Sequence, residues 1–142
     1  MTRTPRPGQA VRGSRTGRPV MALIDLLGRR WALRVVWELR GARLTFRALR
    51  EACGSLSPTV LNSRLRELRE SGLVDLAEAE GYGLTRLGRE LLELLLPLVD
   101  WSKRWAESLG SLAHNRRPRA PERQSRRKVS ASRAVSATPR SR

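Results

Sequence analysis

Between Pro19 and Leu112, large apolar residues recur at three- and four-residue steps, and the pattern is cut at intervals by Gly, Ser-Pro or Thr. A period of three to four means helices with one buried face, and each cut means a cap or a turn. Pro19 suits a first helical turn, where its missing N–H has no partner to lose. Met21, Leu23, Ile24 and Leu27 follow, and Gly28 ends that helix. From Trp31, the residues Ala32, Val35, Val36 and Leu39 form a second stripe closed by Gly41. Thr45 is an N-cap for a short third helix with Phe46, Leu49 and Cys53 in core phase. Gly54-Ser55-Leu56 makes a tight break, and Ser57 as N-cap with Pro58 at the first helical position starts a fourth helix whose inner face is Leu61, Leu65 and Leu68. Ser71-Gly72 ends it.

A short helix, a turn containing Gly, and a second helix with a polar outer face make a helix-turn-helix. Leu73–Ala77 and Tyr82–Leu84 then read as brief strands around Glu78-Ala79-Glu80-Gly81. The expected fold is therefore mainly α with a small β-hairpin, a winged helix-turn-helix. Thr85 caps a long last helix carrying Leu87, Leu91, Leu94, Leu95, Leu98, Trp101, Trp105, Leu109 and Leu112. Pro97 lies inside this run, so the helix is expected to kink or split there. Leu98, Trp101, Trp105 and Leu109 are candidates for a homodimer surface, and a plain core role is the competing reading.

Charge divides the 142-residue chain. Of the formal net charge of +16, residues 1–18 hold five Arg and no acid, while residues 115–142 hold nine Arg and Lys128 against Glu122. The segment between them is close to neutral. Composition thus sets three regions: a disordered basic arm (1–18), a folded DNA-binding domain (19–113) and a disordered basic tail (114–142). Arms poor in large apolar groups cannot offset the entropy of ordering, and their charge seeks a polyanion. An Arg-rich solubility tail or a compositional bias toward Arg explains them as well.

Other classes fit poorly. Cys53 is alone, which excludes an internal disulfide and a multi-Cys zinc site and suits a reducing compartment. Its helical phase marks it as a core residue. Pro19–Leu27 is mildly apolar, but Asp25 interrupts it and no cleavage site follows, so a secretory signal is rejected. Leu94–Val99 is too short to cross a membrane. His114 has no acidic neighbour in sequence, and neither a Gly-rich phosphate loop nor a metal-ligand spacing appears. The chain is expected to be cytoplasmic and nucleoid-associated, not an enzyme, and to need no cofactor or metal. No polar group marks an effector pocket, and no effector is assigned.

With the three leucines turned inward, the opposite face of the fourth helix comprises Thr59, Ser63, Arg66 and Glu70, with Asn62 beside it. The start of such a helix enters the major groove, where Asn pairs with adenine, Arg with guanine, and Ser or Thr with a base or a phosphate. Thr59, Asn62, Ser63 and Arg66 are the candidate DNA-facing set, with Ser57 and Pro58 at the helix start. Arg47 and Arg50 on the preceding helix are candidates for backbone contact. Arg64 and Arg69 are weaker ones, and pairing with Glu51, Glu67 or Glu70 competes for all four.

The run from Arg18 to Leu109 resembles the HxlR-type winged helix-turn-helix regulators, relatives of the MarR group. The resemblance rests on Pro19-Val20, Gly28-Arg29-Arg30-Trp31, Phe46-Arg47-Ala48-Leu49-Arg50, Leu56-Ser57-Pro58-Thr59-Val60-Leu61, Leu65-Arg66-Glu67-Leu68, Ser71-Gly72-Leu73-Val74, Tyr82-Gly83-Leu84-Thr85-Arg86-Leu87-Gly88-Arg89 and Trp101. It implies a homodimer that binds an imperfect palindrome in double-stranded promoter or operator DNA. Many members of that family place a sensing Cys just before the Pro-Val pair; here Arg18 stands there. The wing is also shorter than usual and acidic at its tip, and the C-terminal tail lies outside the resemblance. The alternative class is a nucleoid-associated or general nucleic-acid binder, in which the tails dominate and the core is a dimer platform.

Overall fold

The computed structural model describes residues 3–115, with the side chains of the last two left aside. The order is α1 (Pro19–Leu27), α2 (Ala32–Glu38), α3 (Phe46–Ala52), α4 (Pro58–Glu70), β1 (Val74–Ala77), β2 (Gly81–Leu84) and α5 (Arg86–Asn115). The chain divides into a compact unit up to Arg104 and a second unit from Trp105. This is the winged helix-turn-helix expected from the sequence. The tail beyond residue 115 lies outside the described residues.

The core of the first unit forms where the apolar stripes meet. Val35, Leu49, Leu61 and Leu68 are completely buried, and Leu65, Leu73, Leu84 and Leu91 close around them. Cys53 belongs to this cluster. Burying a side chain of this kind contributes roughly 1.5–3 kcal/mol, so the inner face of α4 fixes which of its residues point outward.

Most caps fall where the residue chemistry puts them. Thr45 Oγ1 accepts from the Ala48 amide at 3.2 Å, and Thr85 Oγ1 accepts from the Gly88 amide at 3.0 Å. Ser57 departs from expectation: it precedes α4 but makes no side-chain cap bond, so Pro58 at the first helical position marks that start. Trp31 sits outside α2 in a left-handed conformation (φ 74°), ending the turn that begins at Gly28.

The hairpin pairs Val74 with Leu84 and Ala77 with Gly81, leaving Glu78-Ala79-Glu80 as its tip. Leu44 joins β2 through reciprocal bonds with Tyr82, at 2.8 and 2.9 Å. That approach needs Gly81, since a Cβ there would lie 2.3 Å from the Leu44 carbonyl oxygen.

Two expectations need correction. Of the kink or split expected at Pro97, the split is absent: α5 is continuous from Arg86 to Asn115. Proline removes one bond to the preceding turn, and Glu93, Leu94, Leu96 and Pro97 are all exposed, so the loss falls on a solvent-facing side of the helix. Residues 3–18 are not a loose arm either. Gly8 donates to the Gly17 carbonyl at 2.8 Å, Val11 and Ser14 bond reciprocally, and Thr4 is buried with its hydroxyl on Glu70 Oε2 at 2.5 Å. Arg29 Nη2 donates to the Arg3 carbonyl at 2.6 Å. Composition missed this because the strap is held by backbone bonds and tight glycine turns rather than by large apolar groups. Gly17 (φ +65°) runs so close to Gln9 that a Cβ would lie 2.1 Å from its carbonyl oxygen.

Candidate nucleic-acid interface

The turn between α3 and α4 is built from two left-handed residues, Gly54 (φ 75°) and Ser55 (φ 58°). Arg50 braces it, its Nε donating to the Leu56 carbonyl at 2.8 Å. Leu56 is buried beneath the turn. Arg50 was a candidate for backbone contact, with pairing to an acidic neighbour as the competing reading; the structure gives its Nε to the turn, where a carbonyl between two helices needs a donor. Arg47 stands differently. Its side chain is 90% exposed and lies 3.2 Å from Glu51, a screened surface pair that costs little to break.

On α4, Leu61, Leu65 and Leu68 point inward as expected. Ser57, Pro58, Thr59 and Asn62 are exposed and Ser63 and Arg66 are half-buried. Arg66 lies 4.0 Å from Glu70 and, with Arg69, lines a cleft of about 470 Å³ between α4 and β1. Glu70 and Asp75 line the same cleft, so its two arginines stand beside two acids, while the exposed start of α4 carries neutral polar groups.

Arg64 is not on that surface. It and Arg29 hold Glu67 from two sides, each with a nitrogen 2.5 Å from a carboxylate oxygen. Glu67 is 1% exposed. Pairing between Arg64 and Glu67 was among the sequence readings, but burial of the pair was not, because a Glu flanked by Arg on a helix looks like a solvated face. At about 100° from Leu68 its helical phase gave no sign of burial.

The wing has its own brace, which the sequence reading did not find. Arg43 contacts Asp75, donates to the Gly81 carbonyl at 2.9 and 3.2 Å, and lies 3.5 Å from Glu80. Glu78 remains exposed at the tip. The exposed tip of the wing therefore carries a carboxylate rather than a cation.

Beneath the interface, burial pushes the Cys53 thiol above its ordinary value; the Glu38 carboxylate raises it further and Arg34 partly offsets this. A neutral thiol among leucines is a packing residue. Among the described residues no group of His, Cys, Asp and Glu has the makings of a metal site, and no helix is long and apolar enough to cross a membrane.

Comparison with known proteins agrees with this geometry. The family model described as HxlR-like helix-turn-helix matches residues 26–109. The uncharacterized HTH-type transcriptional regulator YybR of Bacillus subtilis is 26% identical over 108 residues, spanning 72% of this chain and 86% of its own. A possible HxlR family transcriptional factor from Thermoplasma volcanium superposes with a TM-score of 0.56 at 26% identity, over 63% of this chain and 85% of that one. A MarR-family regulator structure from Enterococcus faecalis shares the fold, with a TM-score of 0.58 at 24% identity over 72% of this chain and 98% of that one. The curated relatives are described as HTH-type transcriptional regulators. The chain belongs to the HxlR-like helix-turn-helix family of DNA-binding transcriptional regulators.

Proposed function

We propose that the chain regulates transcription as a homodimer that reads double-stranded operator DNA with the first turns of α4. Thr59, Asn62, Ser63 and Arg66 meet the base edges, with Ser57 and Pro58 setting the helix start against the backbone. Arg47 contacts a phosphate, and Arg50 positions α4 through the Leu56 carbonyl. The observation that carries this reading is the exposed polar start of α4 above a buried leucine face, which leaves the helix one orientation.

Homodimerisation is supported by exposed apolar groups along α5. In the first unit Leu98 and Trp101 are 54% and 52% exposed; in the second, Trp105 and Leu109 are 53% and 47% exposed. A groove of about 650 Å³ between α1 and the start of α5, lined by Leu23, Leu87 and Leu94, adds to the apolar surface of the first unit. Apolar surface of this extent marks an association site. The C-terminal tail, with nine Arg and Lys128, adds phosphate affinity that falls with salt.

The test is a titration of the full chain against duplex from upstream of its own gene and against random duplex, over a salt series. Preference for the upstream duplex at moderate salt supports the reading. Equal affinity that disappears as salt rises favours a general, nucleoid-type binder driven by the tail.

A further inference from the structure

A cavity of about 640 Å³ opens between the strap and the α1–α2 turn. Four arginines line it, Arg12 on the strap, Arg29 and Arg30 on the turn and Arg64 on α4, against one acid, Asp25; Arg12 and Arg30 are exposed at its rim. Met21 and Ile24 supply an apolar side.

The charges do not cancel. Arg29 and Arg64 share the single carboxylate of Glu67. Asp25 accepts the Arg12 backbone amide at 3.3 Å. Arg12 and Arg30 have no carboxylate partner among the described residues, and Arg30 lies over the Trp31 ring, 5.6 Å from its centroid. Arg64 also keeps a buried Nε–H without an acceptor. Like charges gathered in a concave, partly apolar site repel one another until an anion enters. The Arg64 Nε–H is closed to solvent, so it is not a contact for an entering anion.

We propose that this cavity binds a phosphorylated small molecule of nucleotide size. The surplus positive charge suits a phosphate or diphosphate, which guanidinium forks grip in pairs. The volume falls in the range of about 300–1,000 Å³ usual for small-molecule sites, far beyond what a lone phosphate fills. Met21 and Ile24 receive the ring. A bound anion draws on Arg29 and Arg64, the two groups that hold Glu67 in α4. This consequence for DNA rests on the function proposed above; the binding itself does not.

The experiment is calorimetric titration of the full chain with ADP, inorganic pyrophosphate and adenosine, repeated with an Arg12→Gln/Arg30→Gln variant whose fold is checked by circular dichroism. Saturable binding of ADP, weaker binding of pyrophosphate, little of adenosine, and a loss of at least about tenfold in the folded variant support the site. Absence of saturable ADP binding overturns it, as does ADP binding that the variant leaves unchanged. A variant that loses affinity for random duplex, from a wild-type chain that ignores ADP, assigns the two arginines to the DNA backbone and also overturns it.

Discussion

Arg29 Nη1 lies 2.5 Å from Glu67 Oε1, joining the turn after α1 to the buried flank of α4. Arg64 takes the other oxygen, so a carboxylate only 2% exposed at its side chain answers two guanidinium groups. Such a cluster adds little net stability over an apolar packing, but removing one member leaves the others unmatched. Glu67→Ala is expected to lower unfolding free energy by about 3–5 kcal/mol, read from the urea midpoint. A loss below about 1 kcal/mol would show a solvated pair instead.

The strap offers a second test. At Gly17 any side chain meets the Gln9 backbone and the residue already has φ +65°. Gly17→Val is expected to detach residues 3–16 while leaving the helical core folded. Limited proteolysis in the strap should speed up by an order of magnitude or more, with a stability loss of about 1–3 kcal/mol. Unchanged cleavage rates would contradict the strap's closure by backbone contacts.

Much of this architecture was legible in the residues. Thr45 and Thr85 cap where their oxygens can reach an amide three residues on, and Leu61, Leu65 and Leu68 fixed the phase of α4. What was not legible depends on partners distant in sequence. Glu67 meets Arg29, Thr4 meets Glu70, and Arg43 meets Asp75 and Gly81. Polar pairs of this kind leave no periodic trace, so the pairing of Arg64 with Glu67 was foreseen only as a surface contact and the part of Arg29 was not seen at all. The strap misled for a related reason: its order comes from glycines at positive φ (Gly8, Gly13, Gly17), while its composition resembles a disordered arm.

Cys53 gives a pH-dependent prediction. Burial favours the neutral thiol, raising the folded-state pKa above the unfolded value of 9.0. The native state therefore holds its proton more tightly. The thiol's contribution is fully present below that unfolded value and is lost as pH rises through the folded one. The stability difference between wild type and Cys53→Ala should stay constant at neutral pH and shrink in alkali. Iodoacetamide should label the native protein slowly and the urea-unfolded protein rapidly. Fast native labelling at neutral pH would contradict the packing role.

Replacing Trp101 or Trp105 by Glu is expected to weaken self-association. Each ring is about half exposed, and burying a charge in its place costs several kcal/mol if a partner covers it. Sedimentation equilibrium should show a shift from dimer to monomer with helicity retained. An unchanged association constant would place the dimer contact elsewhere.

The most direct test of DNA reading by α4 compares affinity for the chain's upstream duplex with affinity for random duplex, in wild type and in Asn62→Ala and Arg66→Ala variants. Each lost base contact should reduce the preference by about 1–3 kcal/mol, while Arg47→Ala weakens both duplexes alike and lowers the salt slope by about one. A preference that survives both α4 substitutions undiminished would contradict the assignment of these residues to base recognition.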